Sequence, residues 1–282
     1  MRSSLPIGVF DSGVGGLTVA VAIRKALPHE DILYLGDTAR VPYGTRSPET
    51  VERYAERVAG HLVRRGIKAL VVACNTATTY ALPALTRVGR AHGIPVIGVI
   101  EPGVHAALAR TKKNHVGIIG TEGTIRGGVY EALLKRDTPD LEVSAVACPL
   151  FVSLAEEGWT DGEVAQLTAE RYLADLRGGP DTLILGCTHY PLLRTAIGAA
   201  LPGTALVDSA RATALELTDV LDLHSLHLQR EEAGTIRCLV TDNIERFVTV
   251  GTRFLGEAPE DVELVDLDDN DSAVWRAGGV AK

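Results

Sequence analysis

Short apolar runs alternate with longer amphipathic stretches along most of the chain. The apolar runs are rich in Val, Ile and Leu and predict buried strands at Ile7–Phe10, Ile32–Leu35, Ala69–Ala73, Val96–Val99, Val116–Ile119, Val143–Ala147, Thr182–Leu185, Ala205–Val207 and Arg237–Thr241. The stretches between them predict helices, among them Leu17–Leu27, Pro48–Arg65, Thr76–Arg90, Thr124–Arg136 and Glu163–Leu176. This alternation is typical of βα units around mostly parallel sheets.

Local signals predict where some elements begin and end. Ser47 precedes Pro48 and offers a capping hydroxyl in front of a proline at the first helical position. The stretch Thr160-Asp-Gly-Glu163 fits a capping box. The last residues are small and polar, so we predict that 270–282 form a flexible tail.

A weak internal repeat divides the pattern into two halves. The segment 8–18 reads as a strand, a glycine-rich turn and a helix, and the segment 117–124 repeats that layout. Residues 70–77 are likewise echoed by 183–190, which places Cys74 and Cys187 at equivalent strand ends. Ligands of open α/β sheets bind beyond the carboxyl ends of the strands. We therefore expect two α/β lobes that face each other, with both cysteines on one cleft.

Composition and charge narrow the class of protein. The chain has 282 residues and a formal net charge of −8, which argues against a nucleic-acid partner because phosphate binding needs clustered Lys and Arg. No apolar run approaches the roughly 20 residues that span a bilayer. The first residues lack the apolar region of a signal peptide. These features predict a cytoplasmic protein that does not bind membranes.

The spacing of the four cysteines predicts neither a disulfide framework nor a zinc site, because none forms a Cys-x-x-Cys pair. Cys148 and Cys238 lie in or beside apolar runs and are expected in the core. Cys74 and Cys187 are each followed by polar side chains at strand ends. Two thiols on opposite faces of one carbon, one as base and one as acid, are the minimum machinery for inverting a stereocentre.

The glycine-rich turn 11–16 offers backbone N–H groups and a helix N-terminus to an anion. A dinucleotide loop is a poor interpretation, since Thr18 stands where the Gly-x-Gly-x-x-Gly pattern needs its last glycine. Asp11 at the mouth of the site would also repel a pyrophosphate. A ligand with an ammonium and carboxylates fits better, with Asp11 for the cation and Ser12 with the amides for an anion.

Other polar positions are candidates for the same site. The loop 37–44 contains Pro42 and Gly44 and either meets a ligand or is an ordinary surface loop. Thr121 and Thr124 offer hydroxyls, for which helix capping is the simpler role. His189 is a proton partner for Cys187 or a structural histidine, and Glu156 is a further candidate.

The lysines give no indication of a pyridoxal phosphate site. They stand outside all of these motifs, at positions 25, 68, 112, 113, 135 and 282. Pyridoxal phosphate needs a Schiff-base lysine. We therefore expect chemistry that uses no cofactor and no metal.

Five motifs together resemble the glutamate racemase family. They span residues from about 6 to about 256 and are Phe10-Asp-Ser-Gly-Val-Gly-Gly16, Pro42-Tyr-Gly44, Ala73-Cys-Asn-Thr-Ala77, Gly-Thr-x-Gly-Thr at 120–124 and Leu185-Gly-Cys-Thr-His-Tyr-Pro191. Two positions depart from the family pattern. Ser153 replaces a usual proline, and Thr241-Asp-Asn replaces Thr-Gly-Asp.

The resemblance implies a cofactor-independent racemase that supplies D-glutamate for peptidoglycan, and a homodimer. It implies two pseudo-symmetric lobes, which we assign to 1–98 with 209–269 and to 99–208. The implied catalytic residues are Cys74, Cys187, Asp11, His189 and Glu156. The implied substrate-binding residues are Asp11, Ser12, Tyr43, Gly44, Asn75, Thr76, Thr121, Thr124, Thr188 and His189.

Two alternatives remain open at this point. Aspartate racemases and related isomerases of the same superfamily also use paired cysteines, so Cys74 and Cys187 do not separate them from glutamate racemases. A non-catalytic two-lobed amino-acid-binding module would need the glycine turns and Asp11. Such a module has no use for two cysteines at repeat-equivalent strand ends.

Overall fold

Parallel strands form two separate sheets in the computed structural model, which describes residues 2–277. The strands are β1 (Ile7–Asp11), β2 (Ile32–Gly36), β3 (Ala69–Val72), β4 (Val96–Gly98), β5 (His115–Gly120), β6 (Glu142–Ala147), β7 (Thr182–Gly186), β8 (Ala205–Asp208), β9 (Ile236–Val240) and β10 (Asp261–Leu264). The larger sheet has the order β10-β9-β2-β1-β3-β4, and the smaller has the order β6-β5-β7-β8.

Helices connect the strands and cover both sheets. They are α1 (Leu17–Ala26), α2 (Pro48–Arg65), α3 (Asn75–His92), α4 (Ile100–Leu108), α5 (Glu122–Gly127), α6 (Val129–Asp137), α7 (Leu150–Glu157), α8 (Gly162–Tyr172), α9 (Arg194–Ala200), α10 (Ser209–Leu223), α11 (Ile244–Leu255) and α12 (Asp269–Ala277). Between residues 2 and 277, no helix combines the length and the apolar character needed to cross a membrane.

The two sheets repeat one topology, which confirms the predicted α/β fold. The order β2-β1-β3-β4 in the larger sheet matches β6-β5-β7-β8 in the smaller. In each sheet, the strand that leads into a glycine-rich turn pairs with the strand that leads into a cysteine: β1 with β3, and β5 with β7. The larger sheet differs by β9 and β10, which extend it beyond β2. The lobe boundaries that we assigned stay a prediction.

One apolar cluster connects the two lobes. It contains Val9 and Val71 of the larger sheet together with Ile119 and Leu185 of the smaller one. Strand β1 is buried along its whole length because both of its faces are covered, with Phe10 in a second cluster on the other face. Cys148 and Cys238 are buried in the connecting cluster, as expected.

One of the predicted helix boundaries is confirmed, and two of the helix predictions are wrong in part. Ser47 caps α2 as expected, since its Oγ accepts a 3.3 Å hydrogen bond from Thr50 N. The capping box at Thr160 is wrong, because α8 begins after Asp161 and no side chain caps it. The helix predicted over 124–136 is broken, because Gly128 has a φ of 68° and separates α5 from α6.

The prediction of a flexible tail is wrong for residues 270–277. They belong to α12, which packs against α2. Trp275 is fully buried, and its ring stacks on that of His92 with 5.5 Å between centroids. The lack of a side chain at Gly60 lets the backbone of Asp271 approach α2 closely. The remaining residues of the predicted tail, 278–282, lie outside the described part of the chain.

Candidate active site

A cavity of about 160 Å³ lies where the strand ends of the two sheets face each other. Both lobes contribute to its wall, which consists of Ser12, Pro42, Tyr43, Gly44, Thr45, Cys74, Asn75, Thr76, Thr121, Glu122, Pro149, Val152, Ser153, Cys187, Thr188 and His189. The structure thus brings together the predicted site residues, except that Asp11, Thr124 and Glu156 do not line the cavity.

Cys74 lies at the N-terminus of α3, directly after β3. Its thiol is 3.5 Å from Ser12 Oγ, to which it donates, and its sulfur accepts from Ala77 N at 3.4 Å. Burial and, to a smaller extent, the charge of Asp11 outweigh the Ala77 amide and raise the pKa of Cys74 to about 12. Cys74 is therefore a protonated thiol at neutral pH.

Cys187 follows β7 and lies beside a charged chain of side chains. Its sulfur is 3.8 Å from His189 Nδ1, while His189 Nε2 is 3.2 Å from Glu156 Oε1. The other carboxylate oxygen of Glu156 accepts from Arg246 at 3.3 Å. This chain leads from the cavity through α7 to α11.

His189 is a cation in this setting. Burial opposes its charged form, but the contacts with Cys187 and Glu156 outweigh burial and raise the pKa of His189 to about 10. Burial alone would raise the pKa of Glu156. The contacts with His189 and Arg246 outweigh burial, so the pKa of this carboxyl is lowered. Glu156 therefore contacts His189 rather than the cavity and holds the imidazolium beside Cys187.

The sequence indicated that Asp11 lies at the mouth of the site, but the residue lies behind the glycine turn. It is 1% exposed, and its Oδ2 accepts from Gly13 N at 3.0 Å. A side chain at Gly16 would collide with it, since an added Cβ would lie 2.4 Å from Asp11 Cβ. Burial raises the pKa of Asp11, whereas His189 and the turn amides lower it. Among the described residues, Asp11 Oδ1 has no hydrogen-bond partner.

Three threonine hydroxyls join the two lobes at one side of the cavity. Thr76 Oγ1 lies 2.9 Å from Thr121 Oγ1 and 3.2 Å from Thr124 Oγ1. Thr121 also caps α5 by accepting from Thr124 N at 3.2 Å, so the expected capping role is confirmed. Thr124 is buried behind the other two and is linked to the cavity wall through Thr76 and through Thr121, whose Oγ1 is 3.0 Å away.

The loop 37–44 is anchored by a buried carboxylate. Asp37 is fully buried and accepts from Tyr43 OH at 2.7 Å, Arg40 at 2.8 Å and Thr241 at 2.9 Å. The hydroxyl of Tyr43 is therefore occupied, and only its ring and backbone are available to a ligand. Asp37 is a supporting residue that the sequence analysis did not single out, although an acidic residue directly after a buried strand was a signal for it.

Sequence reasoning missed part of the wall. Thr45, Glu122, Pro149 and Val152 line the cavity but carried no assigned role. Pro149 and Val152 follow β6, so the strand-end rule applied to that strand would have found them. Across residues 2–277, no group of three or more His, Cys, Asp or Glu side chains is arranged to hold a metal ion.

The family model for Asp/Glu/hydantoin racemases matches residues 17–217. The chain belongs to this family. Its relatives include the glutamate racemase of Geobacter metallireducens, with 55% identity over 93% of this chain and 97% of the relative. The glutamate racemase of Aquifex aeolicus is 49% identical over 91% of this chain and 96% of that relative. The protein is therefore an enzyme that groups with the glutamate racemases, as its motifs indicated.

Solved structures give the same result. The glutamate racemase of Francisella tularensis in complex with D-glutamate superposes with a TM-score of 0.89 and 37% identity, covering 94% of this chain and 99% of that chain. The Thermus thermophilus enzyme in complex with β-chloro-D-alanine gives 0.84 and 48%, covering 94% and 98%. An aspartate racemase from Picrophilus torridus shares the fold, with a TM-score of 0.53 and 18% identity over 77% of this chain and 94% of that chain.

Proposed function

We propose that the protein interconverts L- and D-glutamate by moving protons at Cα between Cys74 and Cys187. The observation that carries the proposal is that the two thiols, from repeat-equivalent strand ends in different sheets, line the same small cavity. A planar carbanion formed between them is accessible from both faces. Removal of a proton on one face and delivery on the other inverts the stereocentre.

The surroundings of the two thiols supply the starting charge states. His189 is a cation and lies 3.8 Å from the Cys187 sulfur, so we assign Cys187 as the first base. Cys74 keeps its proton and acts first as the acid. After one turnover, Cys187 carries the proton taken from the substrate and Cys74 is a thiolate. Either the reverse reaction or proton exchange with water resets the pair.

The remaining polar wall suits an amino acid with two carboxylates. Ser12, Asn75, Thr76, Thr121 and Thr188 supply side-chain donors. Tyr43 and Gly44 line the same cavity. The complex of the Francisella tularensis racemase with D-glutamate supports glutamate as the substrate.

We assign the product to peptidoglycan synthesis in the cytoplasm. The mechanism needs no cofactor and no metal, because both proton-transfer groups are side chains. We expect the active form to be a homodimer, with no nucleic acid and no membrane as partner.

Purified protein tests the proposal without any addition. Circular dichroism should follow the loss of optical activity of L-glutamate, at a rate unchanged by EDTA and without added pyridoxal phosphate. L-Aspartate is the matched substrate, shorter by one methylene, and should react at least about 10-fold more slowly. Faster racemisation of L-aspartate, or activity that appears only after a cofactor or metal is supplied, would contradict the proposal.

A further inference from the structure

Tyr130 of α6 lies between the two cysteine-bearing strand ends, and the mechanism above gives it no role. It is 2% exposed, and its hydroxyl donates to Asn75 Oδ1 at 2.7 Å. Its ring passes over Gly186, where an added Cβ would lie 3.1 Å from Tyr130 Cε2. Tyr130 thus contacts the residue directly after Cys74 and the residue directly before Cys187.

The bond from Tyr130 decides which end of the Asn75 amide faces the cavity. A side-chain amide has an acceptor oxygen on one side and a donor NH₂ on the other. Tyr130 occupies the oxygen, so the NH₂ is the end of the amide that remains for another partner. Asn75 lines the cavity, so its NH₂ is available to a ligand there. The opposite orientation would present a carbonyl oxygen, which repels a carboxylate.

Ser209, the first residue of α10, gives the Tyr130 hydroxyl a second polar neighbour. Because the tyrosine hydroxyl gives its one proton to Asn75, the serine is placed to donate to the tyrosine oxygen. Gly103 makes room for the pair, since an added Cβ would lie 3.0 Å from Ser209 Cβ and 3.7 Å from Tyr130 OH. Burial raises the pKa of Tyr130, so its hydroxyl keeps the proton.

We propose that Tyr130 is a positioning residue that holds the Asn75 amide with its NH₂ toward the cavity, as a donor for a substrate carboxylate. The inference rests on the proposed function, because it takes glutamate as the ligand. Donors run in one direction, from Tyr130 to the Asn75 oxygen and from the Asn75 NH₂ to the substrate. Without the tyrosine hydroxyl, the amide turns freely and loses its preference for a carboxylate.

Tyr130→Phe removes the hydroxyl and keeps the ring. We expect the KM for glutamate to rise about 10-fold, with kcat changed by less than about 2-fold, because a neutral hydrogen bond that orients a binding group is lost. Tyr80→Phe is the matched control, since Tyr80 OH donates to Gly123 O at 2.8 Å and also joins α3 to the other lobe without touching Asn75. Its kinetic constants should stay within about 2-fold of wild type.

A double-mutant cycle separates positioning from general support of the fold. Asn75→Ala should raise KM, and adding Tyr130→Phe to Asn75→Ala should raise it no further, because the group to be positioned is gone. A Tyr130→Phe effect that persists in the Asn75→Ala background would overturn the inference. An unchanged KM in Tyr130→Phe, or an equal effect of Tyr80→Phe, would do the same.

Thermal unfolding and wild-type turnover complete the experiment. Thermal unfolding confirms that each variant is folded, and if Tyr130→Phe is not, Ser209→Ala replaces it with an expected KM increase of about 2-fold that vanishes beside Asn75→Ala. Wild-type turnover of L-glutamate tests the proposed function by itself. If wild type is inactive, the same variants are compared for D-glutamate affinity by calorimetry, and the predicted ratios still decide the inference. A wild type that neither turns over nor binds glutamate would overturn both.

Discussion

Cys74 and Cys187 occupy equivalent places in the two lobes but have different electrostatic surroundings. Cys187 lies beside an imidazolium that is held by Glu156 and Arg246. Cys74 has only neutral donors close by, and a buried carboxyl raises its pKa further. The repeated fold therefore places the two sulfurs alike, while the neighbouring side chains differ in charge.

The difference is visible at single positions of the repeat. Two residues after the cysteine, the first lobe has Thr76 and the second has His189. The first lobe has Asp11 at the end of β1, and the matching end of β5 is Gly120. The repeat therefore places a cation beside the second cysteine and a threonine at the matching position of the first lobe.

The largest expected effect comes from removing either thiol. Cys74→Ala and Cys187→Ala should each lower kcat at least about 1000-fold, because each removes one of the two proton-transfer groups. Calorimetry should still detect glutamate binding, since Asn75 and the threonines remain. Cys148→Ala is the control for loss of a buried thiol and should keep activity within about 3-fold of wild type. Substantial racemisation in either single variant would refute the paired assignment.

Isotope exchange tests the same pair in the intact enzyme. In deuterated water, L-glutamate should give D-glutamate with deuterium at Cα, while the remaining L-glutamate stays almost unlabelled early in the reaction. The reason is that a thiol has one exchangeable proton, so the abstracted proton has no route to the new face. Mass spectrometry of the separated enantiomers measures this. Equal early labelling of both pools would indicate a single base.

Replacing the imidazolium should have the next largest effect. His189→Asn is expected to lower kcat/KM about 100-fold, because Cys187, the proposed base, loses the cation beside its sulfur. Since the two enantiomers have equal free energies, kcat/KM must fall equally in both directions. The asymmetry of the site should appear as unequal changes of kcat and KM for L- and D-glutamate. Equal changes of both constants would mean that the two thiols are equivalent.

Asp11→Ala should lower activity about 10- to 100-fold, because it removes the buried carboxyl behind the Cys74 side of the site. Cys238→Ala is the matched core control, since Cys238 is equally buried and lies away from the cavity. Initial rates on L-glutamate, with unfolding curves for each variant, measure the difference. If Cys238→Ala lost turnover without losing its fold, our division of the four cysteines would be wrong.

The smallest expected effect concerns pH and stability. The ordinary pKa of His189 is 6.5, and the folded protein raises it to about 10. Stability from this charged group is fully present below pH 6.5 and is lost as the pH rises through about 10. The advantage of wild type over His189→Asn in unfolding free energy should therefore shrink by at least about 1 kcal/mol between pH 7 and pH 10. Denaturant titrations that give parallel pH profiles would argue against a charged His189.

The sequence predicted the strand ends well because their chemistry is local. Buried runs of Val, Ile and Leu mark the strands, and a polar residue at the end of a parallel strand belongs to the ligand-binding edge. The sequence could not tell where side chains point. Asp11 and Tyr43 were expected to face the ligand, yet Asp11 lies behind the turn and the Tyr43 hydroxyl is bound to Asp37.

Two predictions drawn from composition and periodicity were wrong, because tertiary contacts or one backbone angle decide the structure there. The segment after 269 is polar overall, so it was predicted to be a tail, but Trp275 packs on His92 and Asp271 forms an ion pair with Arg64. The apolar periodicity across 124–136 continues through Gly128, and the break depends on the positive φ of that residue. Both errors concern tertiary packing or one backbone angle, which periodicity does not report.

Because β9 pairs with β2, the larger sheet is completed only late in synthesis. Ile32 pairs with Ile236, so the outer edge of β2 stays open until almost the whole chain has left the ribosome. All five residues of β2 are buried in the finished molecule. Until β9 is synthesised, the unpaired outer edge of β2 is exposed to pairing with other nascent chains. The smaller sheet, whose strands lie between residues 115 and 208, is synthesised completely before β9 and β10.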